Sequence, residues 1–272
     1  MLMPPMVGGI FYEHGHRMVA AFVGFLTVIQ MILLYRFESR VWVKRMGLAA
    51  TFLVIAQGVL GGMTVLFLLP TSISVAHAIT GQSFFCLSLC IALVTSKTWF
   101  DKAESDKAVS SKSENSSIIR ASSGLLVILA FFQLFLGAFM RHLGAGLAIP
   151  DFPLAFGQWF PALESLPIAI HYFHRVMAFV LLGAFLFHFF TLAKKGWLED
   201  SFLVRLNFFL LFTFTLQLSL GALVIWTGKE IWVTSLHLAG GALILGALVI
   251  QSLWVHRFQE KDLPVFFESQ PA

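Results

Sequence analysis

The sequence predicts an all-α integral membrane protein whose seven transmembrane helices form two pseudo-repeated bundles. Three observations lead there. Apolar residues make up 58% of the 272-residue chain and charged residues 12%, with a mean hydropathy of +0.85, outside the range of soluble domains. Seven apolar runs, at about 18–35, 47–69, 73–96, 122–140, 172–193, 206–226 and 233–255, are long enough to cross a bilayer. Polar residues recur at matched spacing in the two halves of the chain, which marks an internal repeat. Helices follow because each one satisfies its own backbone in lipid.

Charge sets the expected orientation. Of 18 Lys and Arg, fourteen fall between runs one and two, between three and four, between five and six, and after run seven. Only Arg17, Arg141, Arg175 and Lys229 fall on the other side. The positive-inside rule then puts the N-terminus outside and the C-terminus in the cytoplasm of a multi-pass plasma-membrane protein. Seven spans demand the same parity. The basic pI of about 9.2 thus reflects loop placement and not a nucleic-acid partner. No basic n-region or small-residue cleavage site precedes the first run, so that run is expected to act as its own insertion signal.

Taken in order, the first run is preceded by EHGHR, Glu13 to Arg17. The second carries QGVLGG, Gln57 to Gly62, and the third carries His77 together with Cys86 and Cys90. The two cysteines, four apart in a helix, read as packing residues that cannot form a disulfide. A polar, serine-rich stretch at 101–121 reads as a cytoplasmic linker between halves 1–100 and 122–272. The fourth run carries QLFLGA, Gln133 to Ala138. An outer loop with Pro150, Asp151, Pro153 and Pro161 leads to HYFHR, His171 to Arg175, at the fifth run. QLSLGA, Gln217 to Ala222, lies in the sixth and His237 in the seventh. From His to Gln the spacing is 41 in the first half and 43 in the second; from Gln to the next His it is 20 in both. The offset covers four spans, so the repeat is parallel.

That register places His16, His77, His174 and His237 at similar depth near the outer face, two in each half. Ionisable groups in a bilayer are costly and mark function. Two imidazoles on facing helices suit axial ligation of a haem iron, whereas zinc wants three or four converging ligands. Arg17 and Arg175 stand where propionates at the outer edge would meet a guanidinium, or where they would simply snorkel to headgroups. The glycines beside the glutamines read as helix packing or as room for something flat, and Gln57, Gln133 and Gln217 as interhelical glue. His14, His142, His188 and His256 have no repeat partners and read as structural.

Glu13 breaks the symmetry. Its counterpart at the repeat offset is His171, so a carboxylate flanks only the first site. It lies three residues before His16, on the same helical face. It reads either as the acid of a reacting site or as a surface partner for Arg17. Asp151 in IPDFP reads as a turn cap.

On EHGHR, QGVLGGMTV, the His77-Ala78 pair, RHLGAGLAIPDFPLAFG, HYFHR and QLSLGALVIWTG followed by His237, the chain resembles the haem A synthase family. The resemblance covers nearly the whole sequence. It implies an eight-helix duplicated bundle that oxidises the C8 methyl of haem O to the formyl of haem A, through a hydroxylated intermediate, for terminal oxidase assembly. It implies that His16 and His77, with Arg17, bind the substrate haem, that His174 and His237 ligate a haem b cofactor with Arg175 at its propionates, and that Glu13 occupies the essential acid's position. Haem O synthase and an electron donor are the implied partners, and a homo-oligomer is compatible with it. The sequence departs from the family in two places. No opening helix is found ahead of His16, where the chain begins MLMPPMVGGIF, either as a seven-span variant or as an incomplete start. The cysteine pair that many members carry after that helix is also not found.

The same ligands would serve a di-haem b-type electron carrier, which leaves Glu13 without a task. A secondary transporter fits less well, because the histidines cluster at one edge and no span is broken near its centre.

Overall fold

The computed structural model describes residues 9–100 and 117–257, with side chains from Glu13 onward in the first helix. Among the described residues seven helices are long and apolar enough to span a membrane. They are α1 (Gly9–Phe37), α2 (Val41–Leu66), α3 (Thr71–Val94), α4 (Ser117–His142), α5 (Leu166–Lys194), α6 (Ser201–Trp226) and α7 (Ile231–His256). All seven predicted spans are present. Each helix starts earlier than its apolar run, because hydropathy does not register the polar first turns.

Local chemistry sets several of these boundaries. Pro70 precedes α3 and Pro167 lies in the first turn of α5, where a missing N–H costs nothing. The Asp200 carboxylate caps α6 by accepting from Phe202 N at 2.9 Å, and Glu230 caps α7 by accepting from Val233 N at 2.9 Å. Gly144 and Gly196 follow α4 and α5 in the left-handed region, φ 70° and 72°, which ends a helix without a β-carbon penalty. The predicted linker 101–121 ends sooner than expected: α4 already begins at Ser117, and residues 101–116 lie outside the described part.

Consecutive helices pack against one another within α1–α2–α3, α4–α5 and α6–α7. Helix α4 also packs on α7, and α3 lies against both α4 and α7. The α3–α7 contact is close at Gly246, where a β-carbon would stand 2.6 Å from Leu89 Cδ1 and 2.9 Å from Phe85 Cε1.

Two cores result. One lies around Leu126, Phe185, Phe214, Leu245 and Leu248 inside the second half. The other draws Leu34, Val43, Ile91, Ile119, Leu192, Leu203 and Trp254 from all seven helices, with Phe202 stacked on Trp254 at 4.1 Å. The halves therefore share a floor. That floor lies at the end of the bundle away from the four repeated histidines. The outer surfaces carry exposed Phe22, Phe52, Phe179 and Phe212, as helices facing lipid do.

Candidate functional site

Counted from their helix starts, His16, His77, His174 and His237 lie six to eight residues into α1, α3, α5 and α7, about 9–12 Å along each axis. Within each half the two rings come close enough for charge on one to be felt at the other, His16 with His77 and His174 with His237. His77, His174 and His237 are half-buried, while His16 is exposed. The two histidines of each predicted pair thus lie at the same end of one half.

The glutamine–glycine helices explain how three of these rings are held. Glycines 61, 137 and 221 each stand four residues after a glutamine and face a histidine. A β-carbon on Gly61 would lie 3.2 Å from Cε1 of His77, one on Gly137 3.1 Å from Cε1 of His174, and one on Gly221 3.2 Å from Cε1 of His237. The glutamine reaches the same histidine from the other side. Gln133 Nε2 donates to the backbone carbonyl of His174 at 3.0 Å, and Gln217 Nε2 donates to that of His237 at 2.9 Å. In the first half the Gln57 amide lies at the matching place, against Gly81, where a β-carbon would be 2.6 Å from its Nε2. Nδ1 of each of these three rings is buried without a hydrogen-bond partner.

Glu13 is one turn from Arg17 on α1, and the arginine's Nη2 donates to its carboxylate at 2.5 Å. The pairing expected of a surface residue is thus present. Its repeat counterpart behaves differently. His171 is buried, and its Nδ1 accepts from the backbone N–H of Ile149 at 3.2 Å.

Arg175 also serves the segment between α4 and α5. Its Nη1 donates to Leu154 O and its Nη2 to Ile149 O, both at 3.0 Å, and the guanidinium lies 5.8 Å from the Phe152 ring centroid. Its Nε is buried without a protein partner. Asp151 closes the same segment, accepting at 2.8 Å from both Phe156 N and Gly157 N. Those two N–H groups, Gly157 foremost, hold its carboxyl below the ordinary carboxylate range. The turn role expected of Asp151 is the one observed.

The remaining histidines make structural contacts. His188 is fully buried with Nδ1 2.7 Å from Ser122 Oγ, and His256 Nδ1 lies 2.7 Å from Ser252 O. The His142 carbonyl accepts from Thr71 Oγ1 at 3.3 Å. Cys86 and Cys90 are free thiols. Clefts around Tyr35 on α1 and between Phe132 and Met177 on α4 and α5 contain none of the histidines.

Sequence reasoning singled out the glutamines and glycines but not their targets. The signal that pairs them is that each glutamine helix is followed by the helix whose histidine it touches.

The residues fit haem as an axially ligated group. Each half offers two imidazoles at the same end of the bundle, and among the described residues no three His, Cys, Asp or Glu side chains converge for a metal ion. The glycine surfaces keep the rings free of side-chain contact on the side toward the glutamine helix.

Residues 7–249 match the COX15-CtaA family, described as cytochrome oxidase assembly protein. The chain is 29% identical over 230 residues to a protein named heme A synthase from Halalkalibacterium halodurans, covering 83% of this chain and 73% of that one. It is 31% identical over 171 residues to another from Alkalihalophilus pseudofirmus, covering 62% and 55%. A third, from Pelagibacter ubique, is 27% identical over 253 residues, covering 88% and 71%. The second of these relatives is thus matched over little more than half its own length. With the match running from before EHGHR to beyond His237, this chain belongs to the COX15-CtaA family of cytochrome oxidase assembly proteins.

Proposed function

We propose that the protein is a haem A synthase-type oxidoreductase of the plasma membrane, converting the C8 methyl of haem O to the formyl of haem A for cytochrome oxidase assembly. The observation that carries this is the recurrence of paired imidazoles in register, in a chain whose family members bear that name. His16 and His77, with Arg17, bind the substrate haem. His174 and His237 would hold haem b, which when bound would supply one-electron transfer. The histidine-bearing end faces outward and the C-terminus is cytoplasmic.

The protein's own part is binding, orientation and proton handling. With Nδ1 of each clasped ring buried against the glycine surface, Nε2 is the nitrogen each would offer to iron. Arg175 holds the segment over the second site, and its unpartnered Nε–H is a donor for a propionate. Turning a methyl into a formyl removes four electrons from carbon. With water as the oxygen source, four protons also leave, and the four electrons pass to an external electron acceptor. Glu13 is the acceptor for a proton released near the substrate. An electron partner and haem O synthase complete the sequence, and a homo-oligomer is compatible with the lipid-facing surfaces.

One observation favours a second reading. The Glu13–Arg17 ion pair gives Glu13 a task in a di-haem b electron carrier with no catalytic activity. Mass spectrometry of haem extracted after expression with a haem O supply separates the two. Hydroxylated or formyl haem supports the enzyme; unchanged haem O with bound haem b overturns it.

A further inference from the structure

We infer that Gln57–Gly61, Gln133–Gly137 and Gln217–Gly221 are positioning residues that fix the ring orientation of His77, His174 and His237. This rests on the haem-ligand reading. Three observations converge. The side-chain amide of a glutamine reaches the histidine's backbone carbonyl in two of the three helix pairs and lies at the same place in the third. Nδ1 of each of these histidines is buried without a partner. The residue four after the glutamine, on the same helical face, is glycine each time, with its α-hydrogen against the imidazole.

One helix therefore grips one histidine at both ends, side chain to backbone and backbone to side chain. In α7 the fit is tight from both sides, because a β-carbon on Gly240 would collide with the Gln217 amide.

Simple glue does not explain this arrangement. In all three glutamines Oε1 is buried without a partner, an unfavourable state in an apolar interior. A leucine would join the helices without leaving that acceptor. A glycine kept only for close packing would not meet the imidazole Cε1 at the same 3.1–3.2 Å in three separate helix pairs. What the arrangement does supply is a backbone surface, free of side-chain bulk, that sets the plane of each imidazole.

The test uses the purified full-length protein with its haem. Gly221→Ala places a methyl against the His237 ring, and Gln217→Leu removes the amide without adding bulk. Gly183→Ala, on α5 with open space at its β-position, is the control. Haem content is measured by extraction, and axial ligation by electron paramagnetic resonance of the ferric protein.

Gly183→Ala should match the parent. Gly221→Ala should weaken haem b retention by about 10–100-fold and convert the residual signal from low-spin to high-spin. Gln217→Leu should retain haem b but show a shifted or broadened low-spin signal. Parent-like content and spectra in both variants overturn the inference while leaving the ligand reading intact. A parent protein without haem b overturns both. Should Gly221→Ala not accumulate, Gln217→Leu and Gln133→Leu decide between these outcomes.

Discussion

The Glu13 carboxylate and the Arg17 guanidinium meet at 2.5 Å across one turn of α1, with both side chains about half exposed. An exposed i,i+4 pair contributes little to stability, a few tenths of a kcal/mol. The pair therefore leaves the carboxylate accessible at small energetic cost, beside His16. Glu13→Ala is expected to lower haem O conversion by about 10²–10⁴-fold, the usual worth of a positioned acid or base. Haem content should hold within twofold. Conversion near the parent rate in a well-folded Glu13→Ala protein would remove Glu13 from the chemistry and leave the electron-carrier reading.

At the opposite end a second acid–base pair has a structural role. Glu38 accepts from Arg40 Nε at 2.9 Å and from its Nη2 at 2.6 Å, while Nη2 also donates to Val94 O at 2.9 Å. The pair thus ties the α1–α2 turn to the end of α3. The Arg40 hydrogen bonds bring the Glu38 carboxyl down from 4.5 to about 2. Its folded value is depressed, so its contribution is present above pH 4.5 and is lost as pH falls toward 2. Glu38→Gln should lower stability in detergent by on the order of 1 kcal/mol at pH 7, with the difference from the parent shrinking below pH 4. A difference that stays constant from pH 7 to pH 3 would refute the assignment.

The two ends differ in how much of them the sequence revealed. The seven spans and the common depth of four histidines follow from hydropathy and spacing, because lipid imposes length and register on each helix independently. The contacts of Arg175 were not legible. A guanidinium at a span's outer end reads as a propionate or headgroup partner. That it satisfies Ile149 O and Leu154 O depends on where a proline-rich segment folds back. The difference between Glu13 and His171 was visible only as a broken symmetry. That His171 accepts from Ile149 N is a tertiary fact. Gln133 and His174 are 41 residues apart, and no local pattern shows which group the amide meets.

The segment that Arg175 and Asp151 order should respond to pH through Asp151. Phe156 N and Gly157 N donate to its carboxylate and hold its pKa below the ordinary value. A depressed folded value means the contribution is complete above about pH 4 and disappears as pH falls further. Hydrogen exchange at Phe156 and Gly157, corrected for intrinsic rates, should show protection that is flat from pH 7 to pH 5 and falls below pH 4. Asp151→Asn should reduce that protection at neutral pH and abolish the acid-dependent fall. Equal protection in the variant at pH 7 would mean the turn stands without the carboxylate.

The last prediction separates histidines that hold haem from those that hold the protein. His188 is as buried as any group in the chain, with Ser122 Oγ 2.7 Å from its Nδ1. It sits fourteen residues beyond His174 on α5, about 21 Å along the axis, too far to share an iron with it. His237 is less buried but lies in register with His174 and faces Gly221. Burial alone would rank His188 first; the repeat ranks it last. His237→Ala should therefore remove haem b while the protein still accumulates in the membrane. His188→Leu should keep haem b near one equivalent and lower thermal stability, since it removes the buried hydrogen bond with Ser122 and alters packing beside Phe185 and Leu192. Haem loss in His188→Leu at parent-like stability would reverse the assignment, because a buried imidazole that affects haem without affecting folding is a ligand and not a strut.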